Sequence, residues 1–120
     1  RPAHADVAEF MGYRNLVPTA AEPAGELVRV QIGGAAFAAT PMEPIAGRAV
    51  AAIRPEDLSP AAEGAIEITV EAAEYRGRDF YGFGKTRDGT ELFFRAEHRV
   101  GAGETLRLSP APGRVLAYAA

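Results

Sequence analysis

Apolar and polar residues alternate along much of this chain, which is the pattern of half-buried β-strands. The clearest case is residues 66–71, which read Ile-Glu-Ile-Thr-Val-Glu. Other short runs are rich in apolar or aromatic residues and are bounded by turn residues. Together they give eight predicted strands, at residues 26–32, 35–39, 49–53, 66–70, 79–86, 90–96, 104–108 and 114–118. The pattern therefore predicts an all-β fold.

Turn residues separate these strands and predict how they are joined. The dipeptides Gly33-Gly34 and Asp88-Gly89 each lie between two strand-like runs, a pattern typical of β-hairpins. Gly82 and Gly84 fall inside a predicted strand, where they indicate bending or a close neighbour. Residues 19–25, rich in Ala, Pro and Gly, are predicted to form a mobile loop. The expected architecture is a small barrel or sandwich of about eight short strands.

One short helix is expected before the strands begin. Val7, Phe10 and Met11 follow the i, i+3, i+4 spacing of one helical face, and Gly12 is a natural C-terminal stop. The segment covers about two turns, so it needs tertiary contacts to be stable.

Length and composition limit the classes of protein to be considered. The chain of 120 residues is of single-domain size. It has no cysteine, which excludes disulfides and thiolate metal sites. Its formal net charge of −3 argues against a general phosphate-binding surface for DNA or RNA. It has no apolar run that approaches the roughly 18 residues of a membrane span.

Candidate catalytic motifs are weak. Gly84-Lys85-Thr86 is similar to the end of a phosphate-binding P-loop, but Asp79 stands where that motif needs a glycine, and a hairpin turn follows instead of a helix. Two histidines, His4 and His98, are too few and too far apart for a metal site. Both serines precede a proline and do not resemble a nucleophile elbow. We therefore predict no catalytic, cofactor-binding or metal-binding residue.

The aromatic residues suggest an alternative function. If they shared one face of the sheet, they could form a base-stacking platform like that of oligonucleotide-binding barrels. About half of them must face inward in strands, and the net charge is negative, so this alternative is the least favoured. The residues concerned are Tyr75, Phe80, Tyr81, Phe83, Phe93 and Phe94.

Several segments resemble a known family. Residues 50–58, Val-Ala-Ala-Ile-Arg-Pro-Glu-Asp-Leu, resemble the "IRPE" signature of the transport-associated OB (TOBE) domain, the C-terminal regulatory domain of importer-type ABC ATPases. These are the ATPases of maltose, polyamine, sulfate and ferric-iron importers. Residues 2–15 resemble the junction by which such proteins leave their nucleotide-binding domain. Residues 70–77 and 103–118 resemble further motifs, in the same order.

The resemblance implies an OB-like regulatory domain over residues 16–120, preceded by a junction segment over residues 1–15. It implies a regulatory and dimer-supporting role in an ABC import subunit, without ATPase activity in this chain. ATP and Mg would belong to the parent subunit. The family motifs carry over as fold or interface positions to Phe10, Gly12, Asn15, Arg54, Pro55 and Glu56.

The resemblance also implies partners and a location. The partners would be a second copy of the ATPase subunit, the permease subunits, and a regulatory protein or the imported solute, with no nucleic acid. The location would be the cytoplasmic side of the bacterial membrane. A different hypothesis is a barrel that senses a small ligand, an oxyanion or the solute. It rests on the arginine-rich loops that contain Arg76, Arg78, Arg87 and Arg99.

Overall fold

The computed structural model describes residues 15–45 and 47–120, and strands dominate both ranges. Ten strands are found there: β1 Asn15–Ala24, β2 Leu27–Ile32, β3 Ala35–Pro41, β4 Gly47–Ile53, β5 Leu58–Pro60, β6 Ile66–Tyr75, β7 Phe80–Lys85, β8 Glu91–Ala96, β9 Thr105–Pro110 and β10 Leu116–Ala119. A single 3₁₀ turn, Pro55–Asp57, separates β4 from β5. The predicted all-β class is confirmed, whereas the helix predicted at residues 3–12 lies outside the described ranges.

The strands form two sheets of five strands each. The first is a closed barrel in the order β1-β2-β3-β10-β4, and the second has the order β5-β9-β6-β7-β8. Strand β10 enters the barrel between β3, to which it is parallel, and β4, to which it is antiparallel. The second sheet is therefore an insertion between two strands of the barrel, and the end of the chain completes the barrel wall. This is the OB-like barrel architecture that was expected.

One hydrophobic core is shared by the barrel and the second sheet. The alternation seen in the sequence determines which residues enter it: Ile66, Ile68 and Val70 are at most 1% exposed. The largest fully buried side chains come from both sheets and include Phe94, Ile32, Ile53, Leu58, Ile66 and Leu108. Burying a side chain of this size contributes about 1.5–3 kcal/mol, and because the core is continuous we expect both sheets to unfold together. No helix in the described ranges is long and apolar enough to cross a membrane.

Two strands were missed by the sequence pattern, and one prediction was wrong. Residues 19–25 do not form a loop, since β1 runs through Ala24. This strand pairs with β4 over its first seven residues and then with β2 over its last three. Pairing with one neighbour and then the other keeps this segment of prolines and alanines extended, although its intrinsic strand propensity is low. The other missed strand, β5, has only three residues and is held by pairing with β9.

The predicted hairpins and the predicted close packing are confirmed. Strands β2 and β3 pair across Gly33-Gly34, and β7 and β8 pair across the turn at Asp88-Gly89. A Cβ added to Gly82 would lie 2.7 Å from the Ala72 carbonyl oxygen, so the β6 backbone passes too close for any side chain. The register of β6 against β7 also shifts between Val70 and Ala72, which marks a β-bulge. The second sheet is irregular at this point.

The tip of the β2–β3 hairpin packs directly against the second sheet. Gly33 has a positive φ of 58°, and a Cβ placed there would lie 2.6 Å from Thr86 Cγ2. Thr86 is only 6% exposed. Its hydroxyl donates to the Asp88 carboxylate and accepts the backbone N–H of Thr90, so its side chain has little freedom to turn away. A glycine is therefore required where the two sheets meet.

We predict that Gly33→Ala destabilises the protein more than Gly34→Ala does. Both positions have positive φ, so alanine at either should cost about 1–2 kcal/mol of backbone strain. Only Gly33 faces Thr86, since the Cβ at Gly34 would meet nothing within 4 Å. The steric overlap should add about 1–3 kcal/mol to the loss at Gly33. Urea unfolding of the two variants would test this, and equal losses of stability would contradict the contact.

Candidate functional site

The candidate site is built around the sharp corner between β4 and β5. Ile53 and Leu58 are fully buried on either side of it. The 3₁₀ turn is closed because the Asp57 backbone N–H donates to the Arg54 carbonyl oxygen at 2.9 Å. Pro55 is buried and sits at the first position of the turn, where a missing N–H costs nothing. Glu56 is exposed, so its carboxylate faces outward from a rigid support.

A second element, the start of β1, is attached to the second sheet by a side chain. Asn15 is 1% exposed and lies 78 residues away from its hydrogen-bonding partner, Phe93. Its Nδ2 donates to the Phe93 carbonyl oxygen at 2.8 Å, and its Oδ1 accepts the Phe93 N–H at 2.6 Å. The side-chain amide thereby makes the pair of hydrogen bonds that the backbone of a neighbouring strand would make with the outer edge of β8. It joins the barrel to the second sheet and covers part of an exposed sheet edge.

A cleft of about 810 Å³ opens beside these two elements. Its walls are formed by the corner and by residues of β6, β7 and β8. Two aromatic rings, Phe83 and Phe93, face each other with centroids 5.6 Å apart and an interplanar angle of 37°. The lining residues are Pro55, Glu56, Ala72, Ala73, Glu74, Arg76, Tyr81, Gly82, Phe83, Phe93 and Phe94.

Arg76 already places a cation on the aromatic wall of this cleft. Its guanidinium carbon lies 5.0 Å from the centroid of the Tyr81 ring. Its Nε also donates to Glu74 Oε1 at 2.8 Å. Both charged side chains are more than half exposed, at 52% and 67%, so the ion pair contributes little stability.

The structure divides the six aromatic residues that could have formed a stacking platform. Phe94 is fully buried in the core. Tyr75 and Phe80 pack against each other with centroids 5.1 Å apart, and neither is among the residues that line the cleft. The other three line the cleft together. No motif in the sequence indicates this grouping, although Phe83 and Phe93 are cross-strand partners and Tyr81 lies two residues before Phe83 on the same strand.

The P-loop-like tripeptide is the end of β7, as the sequence predicted. Lys85 Nζ lies 3.7 Å from Glu71 Oε2 and 3.8 Å from Glu91 Oε2, so two carboxylates surround the ammonium group. Thr86 starts the hairpin turn and donates to Asp88. Hydrogen bonds from Thr86 and then from Thr90 hold the pKa of Asp88 below its ordinary value. The local chemistry is that of a stabilised turn.

Two further surfaces could bind partners or ligands. One is an apolar groove of about 420 Å³ at the end of the barrel, where Leu27 is 41% exposed and Met42 is 49% exposed. The other is a polar cleft of about 470 Å³ lined by Arg78, Asp79, Arg95 and Glu97.

The remaining candidate residues do not form a site in the part of the chain that the structure describes. That part holds no group of three or more His, Cys, Asp or Glu side chains suited to a metal ion. His98 is exposed. His4, Phe10 and Gly12 lie outside the described residues. The arginines of the oxyanion hypothesis are spread out, because Arg87 lies in the turn after β7 whereas the others flank the opposite end of that strand.

Comparison with known proteins gives three findings. The sequence model of a family described as "TOBE domain" matches residues 51–117. The sn-glycerol-3-phosphate import ATP-binding protein UgpC of Cereibacter sphaeroides is 34% identical over 115 residues. The alignment covers 93% of this chain but only 32% of UgpC, so the chain spans about a third of the length of this relative.

Among solved structures, the fold matches a crystal structure of the cytoplasmic molybdate-binding protein ModG in a form with molybdate bound. The TM-score is 0.66, with 89% of this chain and 96% of the ModG chain covered. At 14% sequence identity the match establishes a shared fold and nothing more.

We predict that Asn15→Ala lowers the free energy of unfolding by about 2–4 kcal/mol. The substitution removes both hydrogen bonds to the Phe93 backbone at a buried position, and each buried polar group left without its partner costs about 1–3 kcal/mol. Thr19→Ala on the same strand is the control. It removes two exposed hydrogen bonds, one accepted from the Gln31 N–H and a longer one donated to the Ala20 carbonyl oxygen. Because water can replace both, the loss should be under about 1 kcal/mol. Urea unfolding followed by circular dichroism measures both, and equal losses would contradict the role assigned to Asn15.

Proposed function

This chain belongs to the TOBE domain family, and from that premise we propose that it is the C-terminal regulatory and dimer-supporting domain of the ATP-binding subunit of an ABC importer. The observation that carries the proposal is the alignment of 93% of the chain with about a third of an import ATP-binding protein. Because the chain aligns with only about a third of that relative, we infer that it corresponds to one domain of a larger subunit. We assign residues 1–15 to the junction with the ATPase domain and residues 16–120 to the regulatory domain.

The chemistry of the described residues supports the assignment of nucleotide binding to a different domain of that subunit. The P-loop-like tripeptide forms a hairpin in which Lys85 is surrounded by Glu71 and Glu91. A lysine held in this way is poorly placed to contact a nucleotide phosphate. We therefore assign ATP and Mg to the ATPase domain of the parent subunit. This domain would act from the cytoplasmic side of the membrane, through the permease subunits that the parent subunit contacts.

The groove at the end of the barrel is the surface that we assign to contact with a second copy of the subunit. Leu27 and Met42 are among the few large apolar side chains exposed in the described ranges. Three prolines, Val28 and Ile45 line the groove with them, so most of its surface is apolar, and Glu26 and Glu43 are the charged residues of the lining. Burying it in one state of the dimer and not in another would shift the balance between those states. That is how a domain without catalytic groups can regulate an ATPase.

The proposal is tested on the polypeptide encoded in frame with this chain and upstream of it. We expect a complete G-x-x-x-x-G-K-[ST] motif there, and ATPase activity in the longer protein but not in the 120-residue chain. The double variant Leu27→Lys/Met42→Lys should weaken dimerisation of the longer protein by about tenfold or more, because it places charge in an apolar contact.

Ala36→Lys/Ala38→Lys is the matched control, since it also adds two charges, at exposed positions of the same barrel. Analytical ultracentrifugation and ATPase assays provide the measurements. An upstream region without an ATPase domain would overturn the proposal. Equal dimerisation of the double variant and the control would overturn the assignment of the groove.

A second candidate function, sensing of an oxyanion, is favoured by one observation. Arg78 and Arg95 line the same polar cleft, and guanidinium groups are suited to bidentate binding of oxyanions. The fold shared with molybdate-binding ModG is compatible with this function. Against it, Asp79 and Glu97 line the same cleft and offset the positive charge.

Thermal unfolding of the chain in the presence of molybdate, sulfate or phosphate tests whether the arginine-lined cleft senses an oxyanion. Binding at this cleft would raise the midpoint of unfolding, because a ligand that binds only the folded state stabilises it. Arg95→Gln should abolish the increase, whereas Arg29→Gln in the barrel should retain it. A midpoint that no oxyanion changes would remove this candidate.

A further inference from the structure

The 810 Å³ cleft has the composition of a site for a positively charged small molecule. Three aromatic side chains, Tyr81, Phe83 and Phe93, line it, and the face of Tyr81 already carries a cation. Glu56 and Glu74 supply carboxylates on the same lining. The volume falls within the range of about 300–1,000 Å³ that is usual for small-molecule sites.

The charges that line the cleft favour a cation over an anion. Two carboxylates and one guanidinium, that of Arg76, give a net formal charge of −1. An anion in the cleft would meet this net negative charge. A cation would meet the carboxylates favourably and would also be attracted to the rings.

The position of Arg76 shows that the aromatic wall accommodates a planar cation. The guanidinium lies over Tyr81 at 5.0 Å and is held by one ion pair with Glu74. That ion pair is more than half exposed on both sides, so water and salt screen it, and little energy is needed to displace it. Arg76 therefore occupies the position that an external cation would take, without closing it off.

We propose that this cleft binds a small organic cation of the guanidinium or alkylammonium class, which competes with Arg76 for the face of Tyr81. The charged group lies against Tyr81 with Glu56 and Glu74 nearby, and the alkyl part packs on the Phe83–Phe93 pair. When the ligand enters, Arg76 moves off the ring into solvent. This site is separate from the arginine-lined cleft, and the proposal concerns this chain alone, whatever the parent subunit does.

Butylguanidinium and its uncharged analogue butylurea are the probes that test the proposal. They have the same shape and differ in charge, so their difference reports the attraction of the site for a cation. Isothermal titration of the 120-residue chain should give a dissociation constant of the order of 1 mM for butylguanidinium. Butylurea should bind at least about tenfold more weakly.

The deciding variant is Arg76→Ala, because it should increase affinity. Removing the internal competitor frees the ring face and makes the lining more negative, so butylguanidinium should bind about three- to tenfold more tightly. A variant that merely damages the fold cannot produce this gain. Glu56→Gln should weaken binding about threefold, whereas Glu67→Gln, an exposed position on β6 away from the cleft, should not change it. Glu74 is a poor choice for this purpose, since changing it would also release Arg76.

Each outcome bears on the proposal. Tighter binding to Arg76→Ala together with preference for the cation supports it. Equal affinity for butylguanidinium and butylurea overturns the cation class, and unchanged or weaker binding to Arg76→Ala overturns the competition. If butylguanidinium binds neither the unaltered chain nor the Arg76→Ala variant, the proposed site itself is overturned. None of these results depends on dimerisation or ATPase activity, so failure here is distinct from failure of the regulatory proposal.

Discussion

The two hydrogen bonds between the Asn15 side chain and the Phe93 backbone attach the first strand of the barrel to the second sheet. One end is the first residue of the barrel, and the other is in the middle of an edge strand of the second sheet. Asn15 is buried, so breaking these bonds would leave its amide without partners in a largely apolar setting. Because Phe93 also lines the cleft, this contact ties the shape of the cleft to the position of the barrel.

The cleft depends on departures from regular sheet geometry. A bulge in β6 and the close approach at Gly82 bend the second sheet, and the turn at Pro55 brings a carboxylate beside the curved strands. The same corner contains the Ile-Arg-Pro-Glu motif, so the most recognisable part of the sequence borders this cleft. A motif that shapes a corner can thus contribute to binding without any catalytic role.

The surfaces are distributed over the fold in a way that suits the regulatory role that we propose. The apolar groove lies on the barrel, while the two charged clefts lie on the second sheet. A continuous core joins both sheets, so a ligand held by one sheet can influence contacts made by the other through a shared packed interior. Such coupling requires two states that differ in their contacts, which is the role we propose for contact with a second subunit.

Local patterns in the sequence were sufficient to predict the all-β class, eight of the ten strands in the described ranges, and both tight hairpins. These features depend on alternation and on glycine turns, which are visible in short windows. The sequence did not reveal that residues 19–24 are extended, because pairing with β4 and then β2 holds them so. It singled out Asn15 through a family resemblance and gave no sign of its partner. Two features depend on contacts between segments that are distant in the sequence: the hydrogen bonds from Asn15 to Phe93, and the grouping of Tyr81, Phe83 and Phe93 with Glu56. No short window of sequence contains such contacts, so only folding of the chain brings these residues together.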